Sequence, residues 1–204
     1  MQIHFYCEMD YKKKNPRVYR QAMVPTPPGA ISDGYLNSID DLRTAIRRAL
    51  NDNSMKTKEV IFTIASSKIV NREVMLPAVR KPSMLGAMIR NNLNEYFPID
   101  LSSYEVAHQI LEQMTEGPEA GKFRTMIMAA EKVLVDSYDK LAERCGLRLV
   151  SLDYAGNSMF QAIKNEDTAA RIMLLKIEET QTMVSVVKNK SLMLQRTINY
   201  GLAE

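Results

Sequence analysis

Glycine is scarce, cysteine nearly absent and tryptophan missing: 8, 2 and 0 of 204 residues. Glycine at about 4% falls short of the usual ~7%, and no two of the eight form a Gly-x-Gly. Gly29 and Gly34 have the outer spacing of a P-loop, but Tyr35 and Leu36 follow, where that loop needs Lys and then Ser or Thr to meet phosphate and magnesium. A glycine-lined phosphate cradle is therefore disfavoured. Cys7 and Cys145 stand far apart in sequence, so no disulfide framework is indicated and a reducing, cytoplasmic setting is expected. No apolar run approaches the ~20 residues that span a bilayer. The segment from Met1 to Tyr6 also lacks the basic and apolar regions of a signal peptide. An excess of one charge sign is missing too: 27 basic against 24 acidic residues leave a formal charge of +3. That is too little to argue for nucleic acid without a concentrated patch.

Catalytic chemistry is equally thin. The only histidines are His4 and His108, there is no G-x-S-x-G elbow, and the motifs HExxH, CxxC and the EF-hand loop are absent. His4 and Cys7 share one expected strand at an odd spacing, which turns their side chains to opposite faces. Asp40-Asp41 opens a helix and Glu178-Glu179 falls between two strands, so both carboxylate pairs have structural explanations. Lys12-Lys13-Lys14, Arg17 and Arg20 gather around the turn-forming Asn15-Pro16 and read as a solvated hairpin tip, with a polyanion site as the alternative. The 14 methionines, scattered along the chain, read as flexible core filling, with an adaptable interaction surface as the alternative.

What is present is a mixed α/β pattern. Strands are expected at 2–10 and 17–24, then the extended connector Pro25-Thr26-Pro27-Pro28-Gly29. A helix at 39–52 follows, capped by Ser38 with Asp41 and presenting Ile39, Leu42, Ile46, Ala49 and Leu50 on one face. The nearly continuous apolar run from Glu59 to Ala65 predicts a strand buried on both faces. Beyond residue 70 the order is a strand to Leu76, a helix from Pro82 to Phe97, strands at 104–111 and 122–130, a helix at 132–145 ended by Gly146, and a strand at 147–153. The helix from Pro82 carries Leu85, Ile89, Leu93 and Phe97 at i, i+4 spacing. This β-α-β-β-α-β order packs two helices on one face of a sheet. RNA-recognition domains share the order, but Phe123 and Met126 lack the aromatic strand pattern that base stacking uses. A short helix at 156–164 and strands at 171–178, 182–188 and 192–199 complete the chain, the last two joined by a Lys188-Asn189-Lys190 turn.

Taken in order, Gly34-Tyr35-Leu36, the run Lys56 to Ile64, Asn71-Arg72-Glu73-Val74-Met75-Leu76-Pro77, Arg90 to Asp100, Val135-Asp136-Ser137-Tyr138 and Leu147 to Asp153 resemble the PilM family. These are actin-like cytoplasmic components of type IV pilus assembly, and the resemblance covers about residues 8–201. It implies an actin-like (ribonuclease H-like) first lobe, 1–69 plus 154–168. An inserted β-α-β-β-α-β subdomain would fill 70–153, and 169–204 would begin a second, incomplete lobe. It also implies a scaffold, peripheral to the inner membrane, that docks the cytoplasmic tail of a PilN-like membrane protein and meets other pilus platform proteins. Pilus and type II secretion settings both remain open, as does homo-oligomerisation. Arg72, Glu73, Tyr96, Phe97 and Pro98 are the implied partner-binding residues.

The family's phosphate loops are not matched. The first, Asp-x-Gly followed by Ser or Thr and a Lys, would precede or overlap Met1 to Cys7, where no such motif stands. The second aligns with Lys176-Ile177-Glu178 and then Thr180-Gln181-Thr182, so Asp is replaced by Lys176 and Gly by Glu178. A glutamate there removes backbone freedom and turns negative charge toward a polyphosphate. The expectation is a fragment or degenerate member without metal or cofactor. ATP and magnesium enter only if the missing loop is supplied, with Thr180, Gln181 and Thr182 as contacts. An ATPase with divergent loops and a ferredoxin-like RNA-binding domain are the alternatives.

Overall fold

A computed structural model describes residues 3–10, 16–97, 100, 102–156, 158, 171–188 and 191–203. They form two compact units: Met1–Ile64 with Asp136–Tyr154, and Ala65–Val135 with Ala155–Glu204. No helix among the described residues is long and apolar enough to cross a membrane.

In the first unit, β1 (Ile3–Asp10) and β2 (Arg17–Pro25) pair as an antiparallel hairpin. Lys12, Lys13, Lys14 and Asn15, expected at its tip, lie outside the described residues. A second, minute hairpin of β3 (Ile31–Ser32) and β4 (Tyr35–Leu36) was not expected. Its turn is Asp33-Gly34, with φ of 46° and 83°, the left-handed pair that a tight two-residue hairpin needs. Helix α1 (Ile39–Asp52) has the expected bounds, and Ser38 Oγ accepts from the Asp41 amide at 3.4 Å while donating to its carboxylate at 2.6 Å. Its Leu42 and Ile46 meet Ala30, together with Leu141 and Cys145 from a later helix, to make this unit's core.

Strand β5 (Glu59–Ile64) departs from expectation. Instead of burial on both faces, burial alternates: Ile64 is buried and Ile61 is 43% exposed. The physical reason is its setting: among the described residues it pairs with one strand only, in parallel, and its inner face packs through Phe62.

The second unit holds two antiparallel sheets. In the first, β6 (Val70–Pro77) and β7 (Tyr104–Gln113) flank β8 (Lys122–Glu131). Helices α2 (Pro82–Asn91) and α3 (Leu93–Tyr96) cover one face, where Leu85, Ile89 and Phe97 pack on Leu76, Ile127 and Ala129. A single helix from Pro82 is thus broken at Asn92, whose side-chain amide donates to the Met88 carbonyl at 3.1 Å and competes with the backbone ladder. The second sheet is β10 (Ile172–Ile177), β11 (Thr182–Lys188) and β12 (Ser191–Ile198). Val187 and Leu174 of this sheet pack on Met126 and Met128 of the first.

The β-α-β-β-α-β order expected over 70–154 is present, but its elements do not share one sheet. After α4 (Lys132–Arg144), β9 (Arg148–Tyr154) pairs in parallel with β5. Arg148 also forms an ion pair with Glu59, the residue opposite it in that register. The four-stranded sheet on which a ferredoxin-like RNA platform depends is therefore not built from this block. The face expected of α4 is observed, with Leu134, Tyr138, Leu141, Ala142 and Cys145 all buried. Gly146 ends the helix at φ 69°, and the Leu147 amide bonds back to the Ala142 carbonyl at 2.9 Å. Of the expected helix at 156–164, residues 157 and 159–164 lie outside the described residues, as do Asn189 and Lys190 of the last turn.

Two predictions follow from this packing. A Cβ added at Gly156 would stand 1.3 Å from Nε2 of the buried Gln195. Gly156→Ala is expected to cost about 1–3 kcal/mol in urea denaturation, part of which Gln195→Ala in the same chain recovers. The second concerns Glu8. Burial would raise its pKa, but the Lys56 amide, the Arg20 guanidinium and the Thr57 amide together outweigh burial and hold it below the ordinary carboxylate range. A depressed folded value gives stability that is present above the unfolded pKa, about 4.3, and lost as pH falls through the folded one. Glu8→Gln is expected to lower the urea midpoint at neutral pH and to make it less sensitive to acid than in the unmodified chain.

Candidate functional site

Strand β6 lies at the edge of its sheet, paired on one side with β8. Side chains alternate along it, so Val70, Arg72, Val74 and Leu76 face α2 and α3 while Asn71, Glu73 and Met75 face the other way. On the helix-covered side, Val70, Val74 and Leu76 enter the core and Arg72 is exposed. Its Nη1 donates to the Tyr96 carbonyl at 2.6 Å. Tyr96 is the last residue of α3, and its carbonyl belongs to the group that a helix leaves without internal partners. A guanidinium there satisfies the oxygen and complements the negative helix end. Arg72 and Tyr96 therefore form one surface feature, with the Tyr96 ring half-buried against the core.

Glu73 is committed elsewhere. Its carboxylate accepts from Arg124 Nη1 at 3.1 Å, and Arg124 Nη2 and Nε reach a single oxygen of Glu112 at 3.1 and 3.3 Å. Arg124 is buried on the central strand, and its Nη1 also lies 3.6 Å from Met193 Sδ. Phe97 turns inward and is 5% exposed, so its side chain belongs to the core and not to a docking surface. The i, i+4 stripe that identified the helix also identifies Phe97 as core. Pro98 lies outside the described residues. Sequence reasoning missed Arg124 and Glu112. The only signal for Arg124 was a basic residue inside an otherwise apolar strand.

The Thr180, Gln181 and Thr182 segment joins β10 to β11. Gln181 Nε2 donates to Glu178 Oε2 at 2.9 Å, the Glu178 amide donates to the Gln181 carbonyl at 2.9 Å, and Lys176 pairs with Glu178 Oε1 at 2.5 Å. Thr182 Oγ1 donates to the Tyr200 carbonyl at 2.8 Å. The chain after β12 closes over the turn, the Leu202 and Ala203 amides donating to the Glu178 and Glu179 carbonyls at 3.0 and 2.9 Å. Gly201 permits that approach, because a Cβ there would lie 2.4 Å from the Glu179 carbonyl oxygen. Glu178 thus anchors a closed turn through its side chain and backbone. Thr180 is exposed.

Elsewhere, His4 shares a 2.7 Å hydrogen bond with Thr26 Oγ1, and burial holds its imidazole below the ordinary value. Tyr138 Oη donates to the Gly34 carbonyl at 2.8 Å, and burial raises its pKa. Cys7 is exposed and Cys145 buried. Among the described residues no group of three His, Cys, Asp or Glu side chains converges as a metal site.

The family model described as type IV pilus assembly protein PilM matches residues 5–204. Among solved structures the chain is similar to the PilM-PilN type IV pilus biogenesis complex, at 19% identity and a TM-score of 0.80, over 98% of this chain and 59% of that one. The chain therefore spans less than two thirds of that protein's length. A protein from Bacteroides thetaiotaomicron with an actin-like ATPase fold and unknown function is similar at 12% identity and a TM-score of 0.42, over 92% of this chain and 62% of that one. No curated protein sequence matches. The first likeness carries the fold: this mixed α/β chain has the architecture of the corresponding part of the solved PilM.

The ion cluster yields a stability test. Arg124→Met leaves two carboxylates without their common cation and is expected to cost about 2–4 kcal/mol in chemical denaturation. Glu112 is half exposed, and Glu112→Gln is expected to cost less than about 1 kcal/mol.

Proposed function

The chain belongs to the PilM family of type IV pilus assembly proteins, and from that premise we propose that it acts as a scaffold docking the cytoplasmic tail of a PilN-like inner-membrane protein. The observation that carries this reading is the family match over nearly the whole chain, joined to a likeness of fold with a PilM solved together with PilN. The docking surface in this reading is the outer edge of β6 with the end of α3. An edge strand offers unpaired backbone groups to an extended peptide, and the exposed Arg72 guanidinium beside Tyr96 offers donors for peptide carbonyls or carboxylates. Glu73 and Phe97 contribute by holding the strand and helix end in place.

In the same reading the scaffold works without ATP hydrolysis, and no cofactor is required. Support comes from the β10–β11 turn, where Glu178 puts a carboxylate and Gln181 and Thr182 are engaged in bonds within the turn and to the following segment. The three strands of that sheet are proposed as the opening of a second lobe. The protein is proposed to reach the inner membrane through its partner.

The tests are titrations. A synthetic peptide of the cytoplasmic segment of the PilN-like protein from the same genome is expected to bind the 204-residue chain, and Arg72→Ala is expected to weaken it about tenfold, or ~1.4 kcal/mol. A thermal melt of the variant separates lost docking from lost capping of α3. Failure of the peptide to bind overturns the docking reading. Calorimetry with Mg-ATP is expected to be flat, and micromolar binding overturns the nucleotide-independent reading.

A further inference from the structure

We infer that the exposed surface where α2 meets β7 in the second unit is a protein-docking site, on which Arg90 and His108 together receive a carboxylate side chain of a partner polypeptide. The inference is independent of the docking surface on β6, which lies at the opposite edge of the same sheet. Register brings the pair together. Ile127 of β8 is fully buried under the helices and pairs with His108 of β7 on one side, as it does with Arg72 of β6 on the other. Val106, two residues before His108 and so on the same side of β7, packs into the helix-covered core. His108 therefore stands on the face that α2 covers. A Cβ built on Gly86 of α2 would have Arg90 Nη1 at 3.5 Å and His108 Cε1 at 3.6 Å as its nearest neighbours.

Gly86 lies inside α2, where glycine is less favourable than alanine. Packing does not demand it, because both distances are ordinary van der Waals contacts and its φ is not left-handed. What the bare position provides is a seat on which the guanidinium and the imidazole lie side by side. Cε1 is bonded to both ring nitrogens, so the hydrogen-bonding edge of His108 reaches the same spot as the arginine fork. Both residues are exposed, and among the described residues neither has a hydrogen bond or an ion pair. Two adjacent donor groups with no acceptor between them make half of an oxyanion site.

The donors define the ligand. A guanidinium presents parallel N–H groups to the two oxygens of a carboxylate, and even a neutral imidazole adds one more N–H. A phosphate monoester brings three oxygens and nearly twice the charge, more than one arginine answers. Small molecules are held in concave sites that bury most of their surface, whereas this pair is exposed, so the carboxylate arrives on a larger body. Exposed apolar residues flank the pair. Met84 and Ala87 precede Arg90 at i, i+3, i+6 along α2, and Ile110 follows His108 on the same side of β7. Methionine and arginine are enriched at protein interfaces, and the partner segment is accordingly an acidic residue set among apolar ones.

The test uses the 204-residue protein and the capped peptide acetyl-Ala-Leu-Glu-Leu-Ala-amide, with its glutamine counterpart and sodium acetate as comparisons. NMR signals of the His108 and Arg90 side chains are followed. The glutamate peptide is expected to move both and to bind about tenfold more tightly than the glutamine peptide or acetate, and Arg90→Gln is expected to abolish that preference. Gly86→Ala is expected to raise the melting temperature while weakening the glutamate peptide, a split that a merely structural glycine would not give. Equal binding of the two peptides, unmoved side-chain signals, or an unchanged preference in Gly86→Ala overturns the inference. Acetate or inorganic phosphate binding as tightly as the glutamate peptide assigns the pair to free anions and overturns it too. The same signals shifting with protein concentration alone assign the surface to a second copy of this chain, with the same consequence.

Discussion

Arg124 is the constraint around which the second unit is arranged. A guanidinium cannot lose its proton under ordinary conditions, so a buried one must be met by carboxylates or leave a desolvated charge unanswered. Here the cation stands on the central strand β8 and its partners stand on the two flanking strands, Glu73 on β6 and Glu112 on β7. A one-residue slip of either flanking strand would send its carboxylate to the opposite face of the sheet. The cluster therefore specifies register in a way that the apolar residues around it, interchangeable in shape, do not. It lies on the face turned toward β10–β12, near Met193, while the opposite face carries the apolar helix contacts. One face of the sheet is specified by charge and the other by packing.

How much of this was legible depends on the range of the interaction. Periodicity is local, and it located α1, α4 and the apolar stripe through Leu85, Ile89, Leu93 and Phe97. Competing local bonds were harder. Asn92 sits inside a sound helical pattern, and nothing in the spacing of apolar residues announces that its amide takes the Met88 carbonyl. The Asp33-Gly34 hairpin had a signal, since that dipeptide favours two left-handed residues in succession, but strands of two residues carry no alternation to support it. The pairing of β9 was out of reach. A parallel partner is joined by a crossover and not by a turn, and β5 is separated from β9 by the whole of the intervening block.

The site residues divide along the same line. Arg72 and Glu73 are adjacent in sequence, and adjacency in a strand alone places them on opposite faces. What the sequence cannot express is where each face leads: Arg72 to the end of α3, Glu73 to Arg124. Phe97 shows the converse. Its neighbours Tyr96 and Pro98 suggested a surface motif, whereas its place in the i, i+4 stripe made it core, and the longer-range periodic signal prevailed because burial of an aromatic ring of this size contributes on the order of 2–3 kcal/mol. The Thr180 to Thr182 segment was located by alignment with a phosphate loop, yet what its bonds describe is a turn clasped by the residues after β12.

Arg72 carries a consequence for any ligand that meets β6. The guanidinium that would greet a peptide is the same group that satisfies the Tyr96 carbonyl, so a ligand competing for its donors withdraws a cap from α3. Helix α3 has only four residues and is separated from α2 by the break at Asn92, so it has little internal bonding to fall back on. Its position is held instead by Leu93, Tyr96 and Phe97 packing on the sheet. A ligand that uses Arg72 donors left free by the Tyr96 bond adds to this arrangement, and one that takes that bond opposes it. Arg has five donors in a planar fork, which makes the first mode available without breaking the cap. Lysine at this place would offer a single charged centre and force a choice between helix end and ligand.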